Sequence, residues 1–414
     1  MPPLRGGKLD CVVIGGGQAG LAASHQLAER GIEHVVLERG RVAETWRSAR
    51  WDGFHLNTPN WTARLPGAGQ LGDDPEAFAS RDQVIAYLDR YAMRMGAPIR
   101  TGVEVSGLRH AGDAFQLTTG DGPLRARSVV VASGAFQQPR RSEAAAGGVA
   151  ELHSSAYRNP GMLPDGPVLI VGSGQSGCEI AQELLDAGRE VHVAVGRCPW
   201  APRRYRGREL IRWAVEMGLM DQTAESLPSA EARVAGNMTV SGARGGVDCS
   251  PLLLERDGAL LHGHLTGFDG GQARFADDLG DNIRRGQQWY LELCARMDDY
   301  AEAVGYELPP PDPLEWPDRP RERAGTLDLD RIGVVLHANG FRPAFGWIDL
   351  PVFDGLGFPR ADRGVTAVPG LAFLGLPWLH TRRSPLLLGV GDDATHVAAA
   401  IAAHLGHQTV EDPP

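Results

Sequence analysis

The sequence predicts an α/β protein of two three-layer domains, and three observations carry that expectation. First, the stretch "CVVIGGGQAGLAASHQL" (Cys11 to Leu27) returns as the near copy "VLIVGSGQSGCEIAQEL" (Val168 to Leu184). Second, each copy passes from a short apolar strand through a glycine loop into a helical pattern and then into another apolar strand, the order of a βαβ unit. Third, 414 residues that are 43% hydrophobic and 22% charged are enough to build two cores.

The first unit is complete in its parts. "LDCVVIG" reads as a buried parallel strand, Gly15-x-Gly17-x-x-Gly20 follows, "LAASHQLAERG" has helical spacing that stops at Gly31, and "EHVVLERG" is the second strand, ending at Glu38. Glycines at these positions allow a tight turn and a close backbone approach to a pyrophosphate, whose charge the helix N-terminus stabilises. Glu38, about 20 residues beyond the loop, is placed to accept hydrogen bonds from both hydroxyls of a ribose. This acid suits NAD and FAD alike.

The second unit repeats the cradle with a different end. After Gly172-x-Gly174-x-x-Gly177 the strand "EVHVAV" runs into Gly196 and Arg197, with no acid. An acid there would repel a 2′-phosphate, whereas a guanidinium pairs with it. "RCPWAPRRYRGREL" adds Arg203, Arg204, Arg206 and Arg208. The cluster predicts NADPH, with Arg197, Arg203 and Arg204 as phosphate ligands; singly, Arg206 and Arg208 read rather as a solvated helix start.

Between and beyond the loops, "SRDQVIAYLDRYAMRMG" is an expected helix with a Ser80–Gln83 capping box and an apolar stripe of Val84, Leu88, Tyr91 and Met95. "VEVSGLRH", "AFQLTTG" and "RARSVVVAS" read as strands of a smaller sheet. "DNIRRGQQWYLELCARMDDYAEAVG" reads as a long helix capped by Asp281, with Ile283, Leu291, Cys294, Met297, Ala301 and Val304 on one face. The proline-rich "ELPPPDPLEWPDRP" cannot continue it. The two together read as a lid, a homodimer surface or a peripheral element.

Composition excludes several classes. A formal charge of −10 argues against nucleic-acid or anionic-membrane partners. Lys8 is the only lysine, at the entry to the first strand, which removes lysine Schiff-base chemistry. Five cysteines, odd in number and never in a C-x-x-C pair, argue against a disulfide framework, a metal site or a dithiol redox centre. No apolar run is long enough to cross a bilayer and "MPPLRGGKLD" lacks a signal-peptide core, so a soluble, cytoplasmic protein is expected.

Further stretches resemble the flavin-containing monooxygenase superfamily, and within it bacterial relatives of the plant indole-pyruvate monooxygenases. "RARSVVVASGAF", ending at Ala132-Ser133-Gly134, and "RIGVVLHANGFRP", ending at Asn339-Gly340, resemble the crossings of two-dinucleotide flavoproteins. The resemblance implies FAD in the first loop and an NADPH domain inserted into the FAD domain. The expected division is 1–140 for the first FAD segment, 160–332 for the NADPH domain with a helical insertion near 280–306, and 333–414 for the returning segment. "ETWRSARWDGFHLNTP" is similar to the family's Gly-x-Trp segment followed by Asn-x-Pro, which implies Trp46 against the flavin and Asn57 beside its C4a atom. "GSGQSGCEIA" looks like the family's NADPH loop and implies that Gln175, Ser176, Gly177, Cys178 and Glu179 contact the cofactor. "LHSSAY", with His153 and Tyr157, matches the second half of the family signature Phe-x-Gly-x-x-x-His-x-x-x-aromatic, but Gly147 and Val149 stand where its Phe and first Gly belong. Tyr157 also lacks the following Pro or Asp of many Baeyer–Villiger enzymes, which turns the expectation away from ketone-to-ester chemistry.

The implied activity is NADPH-dependent reduction of FAD, capture of O₂ as a C4a-hydroperoxide, and oxygen transfer to a small organic substrate by N- or S-oxygenation or by oxidative decarboxylation of a 2-oxo acid. Asn57 is then a catalytic candidate; before Thr-Pro it is equally a turn residue. In "GLAFLGLPWLHTRRSPLLLGVGDD" the strand resembles the family's return to the flavin, followed by Trp378, His380, Arg382 and Arg383. His380 reads as a proton donor, an anion partner or a satisfied structural histidine. Two alternatives stay open: an NADPH-dependent flavoprotein reductase or oxidase that inserts no oxygen, and a non-enzymatic flavin-binding redox sensor.

Overall fold

The structure is a computed structural model that describes residues 8–142, 146–234, 238–314, 320–321 and 325–407. Both expected units form. Strand β1 (Lys8–Ile14) leads through the first glycine loop to α1 (Gln18–Glu29) and β2 (His34–Glu38). β1 lies parallel to β2 on one side and to β6 (Gly122–Val131) on the other. Continuous burial of Cys11, Val12, Val13 and Ile14 fits a strand covered on both faces. A short helix, α2 (Glu44–Ser48), follows the loop, and α3 (Arg81–Arg94) carries the capping box: Gln83 N donates to Ser80 Oγ and Ser80 N donates to Gln83 Oε1. Val84, Leu88 and Tyr91 are buried; Met95, at the C-cap, is half-buried.

The expected smaller sheet is instead part of the main one. β3 (Ile99–Thr101), β4 (Val105–Ala111) and β5 (Ala114–Thr119) join a ten-stranded sheet ordered Ile348–Asp349, β4, β5, β6, β1, β2, β3. The reason is the length of β6. Its first half pairs antiparallel with β5 and its last residues, Val129–Val131, pair with Leu371–Phe373, while Arg125–Val131 runs along β1.

The second domain holds a five-stranded parallel sheet ordered Leu260–His262, β10 (Val191–Ala194), β9 (Val168–Val171), Val334–His337 and β8 (Ala150–His153). Helix α4 (Gln175–Asp186) follows β9. β8 and Val334–His337 lie outside the expected 160–332 but belong to this sheet, because Val334–His337 pairs with β9 on one side and β8 on the other. The crossing is a two-stranded ribbon in which β7 (Gln138–Pro139) pairs antiparallel with Phe341–Arg342.

The long helix spans Leu279–Val304. Asp278 rather than Asp281 occupies the N-cap position, and its carboxylate accepts from the backbone N–H and Nδ1 of His264, while Asp281 pairs with Arg284. Leu291 and Val304 are 52% and 45% exposed. Gly286, Tyr290 and Leu293 take their place beside Ile283, Cys294, Met297 and Ala301, a sequence of steps of three and four that keeps one helix face on the core. "EWPDR" (315–319) of the proline-rich stretch lies outside the described residues. Among the described residues no helix is long and apolar enough to cross a membrane.

Candidate functional site

The two glycine loops are built alike, contact by contact. Gly15 and Gly172 have φ of +116° and +109°, and a Cβ on them would come within 2.4 Å of Ala132 O and 2.8 Å of Ala338 O respectively. A Cβ on Gly20 or Gly177 would stand 1.8 Å or 2.0 Å from the carbonyl of its own loop's first glycine, so only glycine lets the helix start this close to the turn. Gly17 and Gly174 have nothing within 4 Å of a built Cβ, which leaves the backbone open to an incoming group. These two are the N-caps of α1 and α4 and supply no side-chain cap, so the first helical N–H groups have no side-chain acceptor there. A pyrophosphate fits this arrangement in both loops.

Behind the first loop Glu38 is 8% exposed, with Oε2 accepting from Gly16 N (2.6 Å) and Oε1 from Gly40 N (2.8 Å). Both oxygens are thereby fixed, with lone pairs left for a ribose. Behind the second loop Arg197 is exposed just past β10. Ser176 is half-buried in the first turn of α4. Gly134, with φ +79° and open space around a built Cβ, begins the crossing.

Arg203 departs from its expected role. Arg203 is 1% exposed; its Nη1 donates to Asn57 O (2.8 Å) and its Nη2 pairs with Glu209. Arg204 donates to Gly245 O and Gly246 O. Arg203 thereby spends its donors inside the protein, whereas Arg204, with donors on two backbone carbonyls, stays exposed as Arg197 does. Gln175 also turns inward: its Nε2 donates to Val240 O (2.6 Å) and its Oε1 accepts from Val240 N (3.3 Å), which binds strand Val240–Ser241 to α4.

That strand closes a polar cluster between the domains. Residues 50–57 lie against α4 and Gly242 so closely that a Cβ on Gly53 would be 2.4 Å from Glu183 Oε1 and one on Gly242 1.8 Å from Leu56 O. Asn57 Oδ1 accepts from Gly242 N at 3.4 Å. Glu179 is 9% exposed; its Oε1 accepts from Ser241 Oγ (2.8 Å), and its Oε2 is buried without a hydrogen-bond partner. Burial pushes its carboxyl up to about 7, against partial offsets from Ser241, Gln175, Arg50 and Asn57. The Arg50 guanidinium stands 4.6 Å from the ring centre of Phe136, 5.5 Å from Phe54 and 5.6 Å from Trp46. Its one hydrogen bond among the described residues goes to Ala49 O, and burial lowers its pKa to about 10 despite the charge of Glu179. Trp46, half-buried on α2, thus forms one wall of an aromatic box around Arg50.

Arg50 and Ser241 were not legible as site residues. The run Trp46, Trp51, Phe54 around Arg50 hinted at the box, but Phe136 comes from the crossing, far along the chain. His153 and Tyr157 are structural: His153 Nε2 bonds Gly340 O (3.1 Å) and the Tyr157 hydroxyl donates to Glu183 Oε2 (2.7 Å), tying β8 to the crossing and to α4.

His380 belongs elsewhere. It is half-buried and lines a polar cavity of about 80 Å³ with Glu225, Arg233, Asp362, Arg363 and Trp378, and it shares no hydrogen bond with the Asn57 cluster. Its backbone N–H donates to Ser384 Oγ and its carbonyl accepts from Ala224 N. Arg382 and Arg383 are ties to the second domain, through Gln222 and Asp221; Arg383 also pairs with Asp392 at the start of the closing helix, Val390–Leu405.

Residues 12–232 match the family described as pyridine nucleotide-disulphide oxidoreductase. The chain is 31% identical over 406 residues to the protein named "Uncharacterized oxidoreductase CzcO-like" of Geobacillus kaustophilus, a match that covers 96% of this chain and 99% of that one. It is 33% identical over 192 residues to indole-3-pyruvate monooxygenase YUCCA1 of Oryza sativa subsp. japonica, covering 44% of this chain and 47% of that one. In fold it is similar to a flavin-containing monooxygenase from Stenotrophomonas maltophilia, with a TM-score of 0.65 at 20% identity over 96% of this chain and 99% of that one. With its duplicated cradles and a family match spanning more than half its length, the chain belongs to the pyridine nucleotide-disulphide oxidoreductase family.

Proposed function

We propose that this oxidoreductase is an FAD- and NADPH-dependent monooxygenase that inserts one oxygen atom of O₂ into a small organic substrate, by N- or S-oxygenation or by oxidative decarboxylation of a 2-oxo acid. The observation that carries the reading is the pair of matching cradles with unlike backing, Glu38 behind the first and Arg197 behind the second, meeting across the Asn57–Glu179 cluster. Gly15, Gly17, Gly20, Glu38, Trp46 and Gly134 are the residues suited to FAD; Gly172, Gly174, Ser176, Gly177 and Arg197 are those suited to NADPH. When bound, FAD supplies the redox chemistry, accepting hydride equivalents from NADPH and passing electrons to O₂.

The chain's own work is binding, orientation and exclusion of water. The loop backbones neutralise two pyrophosphates, Arg197 favours the 2′-phosphate, and Asn57, held by Arg203 and Gly242, presents its amide at the domain boundary. The family name speaks of disulphides, but the cysteines do not suit that chemistry. All five are free and buried, and burial pushes the Cys11, Cys198 and Cys294 thiols up to about 12. The relative named as an indole-3-pyruvate monooxygenase supports oxygen insertion over simple reduction.

The test is anaerobic reduction of the purified flavoprotein by NADPH, followed by mixing with oxygenated buffer and candidate amines, sulfides and 2-oxo acids. A transient flavin absorbance ahead of full reoxidation, with an ¹⁸O atom from O₂ in the product, is the expected result. One-step reoxidation with peroxide equal to NADPH consumed, for every substrate, overturns it in favour of a reductase or oxidase.

A further inference from the structure

We infer that the cavity around His380 is a binding site for a small free α-amino acid, with the ligand carboxylate inward on Arg233 and Arg363 and its ammonium outward on Glu225 and Asp362. The site is separate from both glycine loops. One wall is Glu225 and Arg233 of the second domain, and the other is Asp362, Arg363, Trp378 and His380 of the returning segment. Its volume of about 80 Å³ is several times what one water needs and suits a molecule of a few heavy atoms.

The charged groups around this cavity are assembled but not paired with one another. Arg233 reaches Asp354 only at 3.8 Å, and Arg363 Nε reaches Asp393 at 3.5 Å, both longer than a good hydrogen bond. Arg363 Nη2 donates to Asp392 O at 3.4 Å, while its Nε is buried with no hydrogen-bond partner. Among the described residues no ion pair joins either guanidinium to Glu225 or Asp362, and the His380 ring makes no hydrogen bond. Arg233, Arg363 and His380 are half-buried, whereas Glu225 and Asp362 are exposed, so the cations lie deeper and the carboxylates nearer the mouth. A lone anion entering here meets two carboxylates, and a lone cation meets two guanidinium groups. A molecule that carries both charges finds a partner for each. The backbone adds a second, independent observation. Arg363 and Gly364 form the two-residue loop between Ala361–Asp362 and Val365–Thr366, with φ of +45° and +88°. Such a turn favours Asn, Asp or Gly where Arg363 stands. Trp378 also has a positive φ, +56°. Two of the chain's five non-glycine residues in this region of backbone space thus line one cavity, and strain of this kind concentrates at ligand clamps.

The experiment is calorimetry on the FAD-loaded protein without NADPH, titrated with L-alanine, acetate, ethylamine and inorganic phosphate. Acetate and ethylamine each carry one of the two charges of alanine. Alanine should bind at least about tenfold more tightly than any of the other three. Arg233→Met, Glu225→Gln and Arg363→Asn, the last a residue that the turn favours, should each keep wild-type flavin content and bind alanine about tenfold more weakly. Acetate or phosphate binding as tightly as alanine overturns the inference in favour of a plain anion site. Unchanged alanine binding in any of the three variants places alanine elsewhere, at the flavin for example, and overturns it as well. So does a wild type that binds no alanine. None of these residues belongs to either cradle, so each of these failures leaves the reading of FAD and NADPH intact.

Discussion

Glu179 gives the sharpest physical prediction, because its burial converts into a dependence of stability on pH. Its carboxyl rises from 4.5 to about 7 in the fold, chiefly through burial. Between those values the folded protein holds a proton that the unfolded chain has released, so stability falls as pH rises. The contribution is fully present below 4.5 and is gone once pH has passed through about 7. A tenfold change in proton affinity is worth about 1.4 kcal/mol, so the whole interval amounts to about 3 kcal/mol. Glu179→Gln keeps the shape of the protonated side chain and removes the titration. The variant should therefore match wild type near pH 4 and exceed it by about 3 kcal/mol near pH 8.5. Urea unfolding of the nucleotide-free protein across this range measures it, read as the gap between variant and wild type so that titrations common to both cancel. A gap that stays constant with pH would refute the reasoning, since it would mean that the carboxyl titrates alike in the folded and unfolded chains.

Gly17→Val should leave the fold intact, because a Cβ there meets nothing within 4 Å, yet abolish bound flavin by filling the pyrophosphate approach; a flavin-to-protein ratio equal to wild type counts against the first cradle. Arg197→Ala should reduce the preference for NADPH over NADH in flavin reduction by about tenfold, or about 1.4 kcal/mol, and an unchanged ratio would remove Arg197 as the phosphate ligand. Arg203→Met, by contrast, should leave that ratio alone and lower stability by about 3–5 kcal/mol, because it strands Glu209 in the interior; chemical unfolding of the variant decides it. Asn57→Leu should keep anaerobic reduction by NADPH and divert turnover to hydrogen peroxide, with a loss of about 2.7–4 kcal/mol in oxygen transfer; an unaltered ratio of product to peroxide would show that the amide takes no part.

How much could be read from the sequence follows from how far apart in the chain each feature's parts lie. The cradles were legible because each is a covalent neighbourhood: three glycines at fixed spacing, one strand before and one helix after, with Glu38 or Arg197 a single βαβ unit away. The Ser80–Gln83 cap was legible for the same reason. The periodicity of the long helix was readable only in part, since Leu291 and Val304 are apolar but face solvent. What the charged residues do was decided by tertiary structure. Arg203 looked like a phosphate ligand beside Arg197, and became an interior strut because Glu209 and the carbonyl of Asn57 fold onto it. His380 went to a cavity behind the returning strand because residues 224–233 of the second domain cover it. Glu179 and Arg50 came within electrostatic reach of each other because residues 50–57 of one domain press on α4 of the other. Local spacing determines where a backbone turns; burial, which sets the energy of a charge, depends on every segment that closes over it.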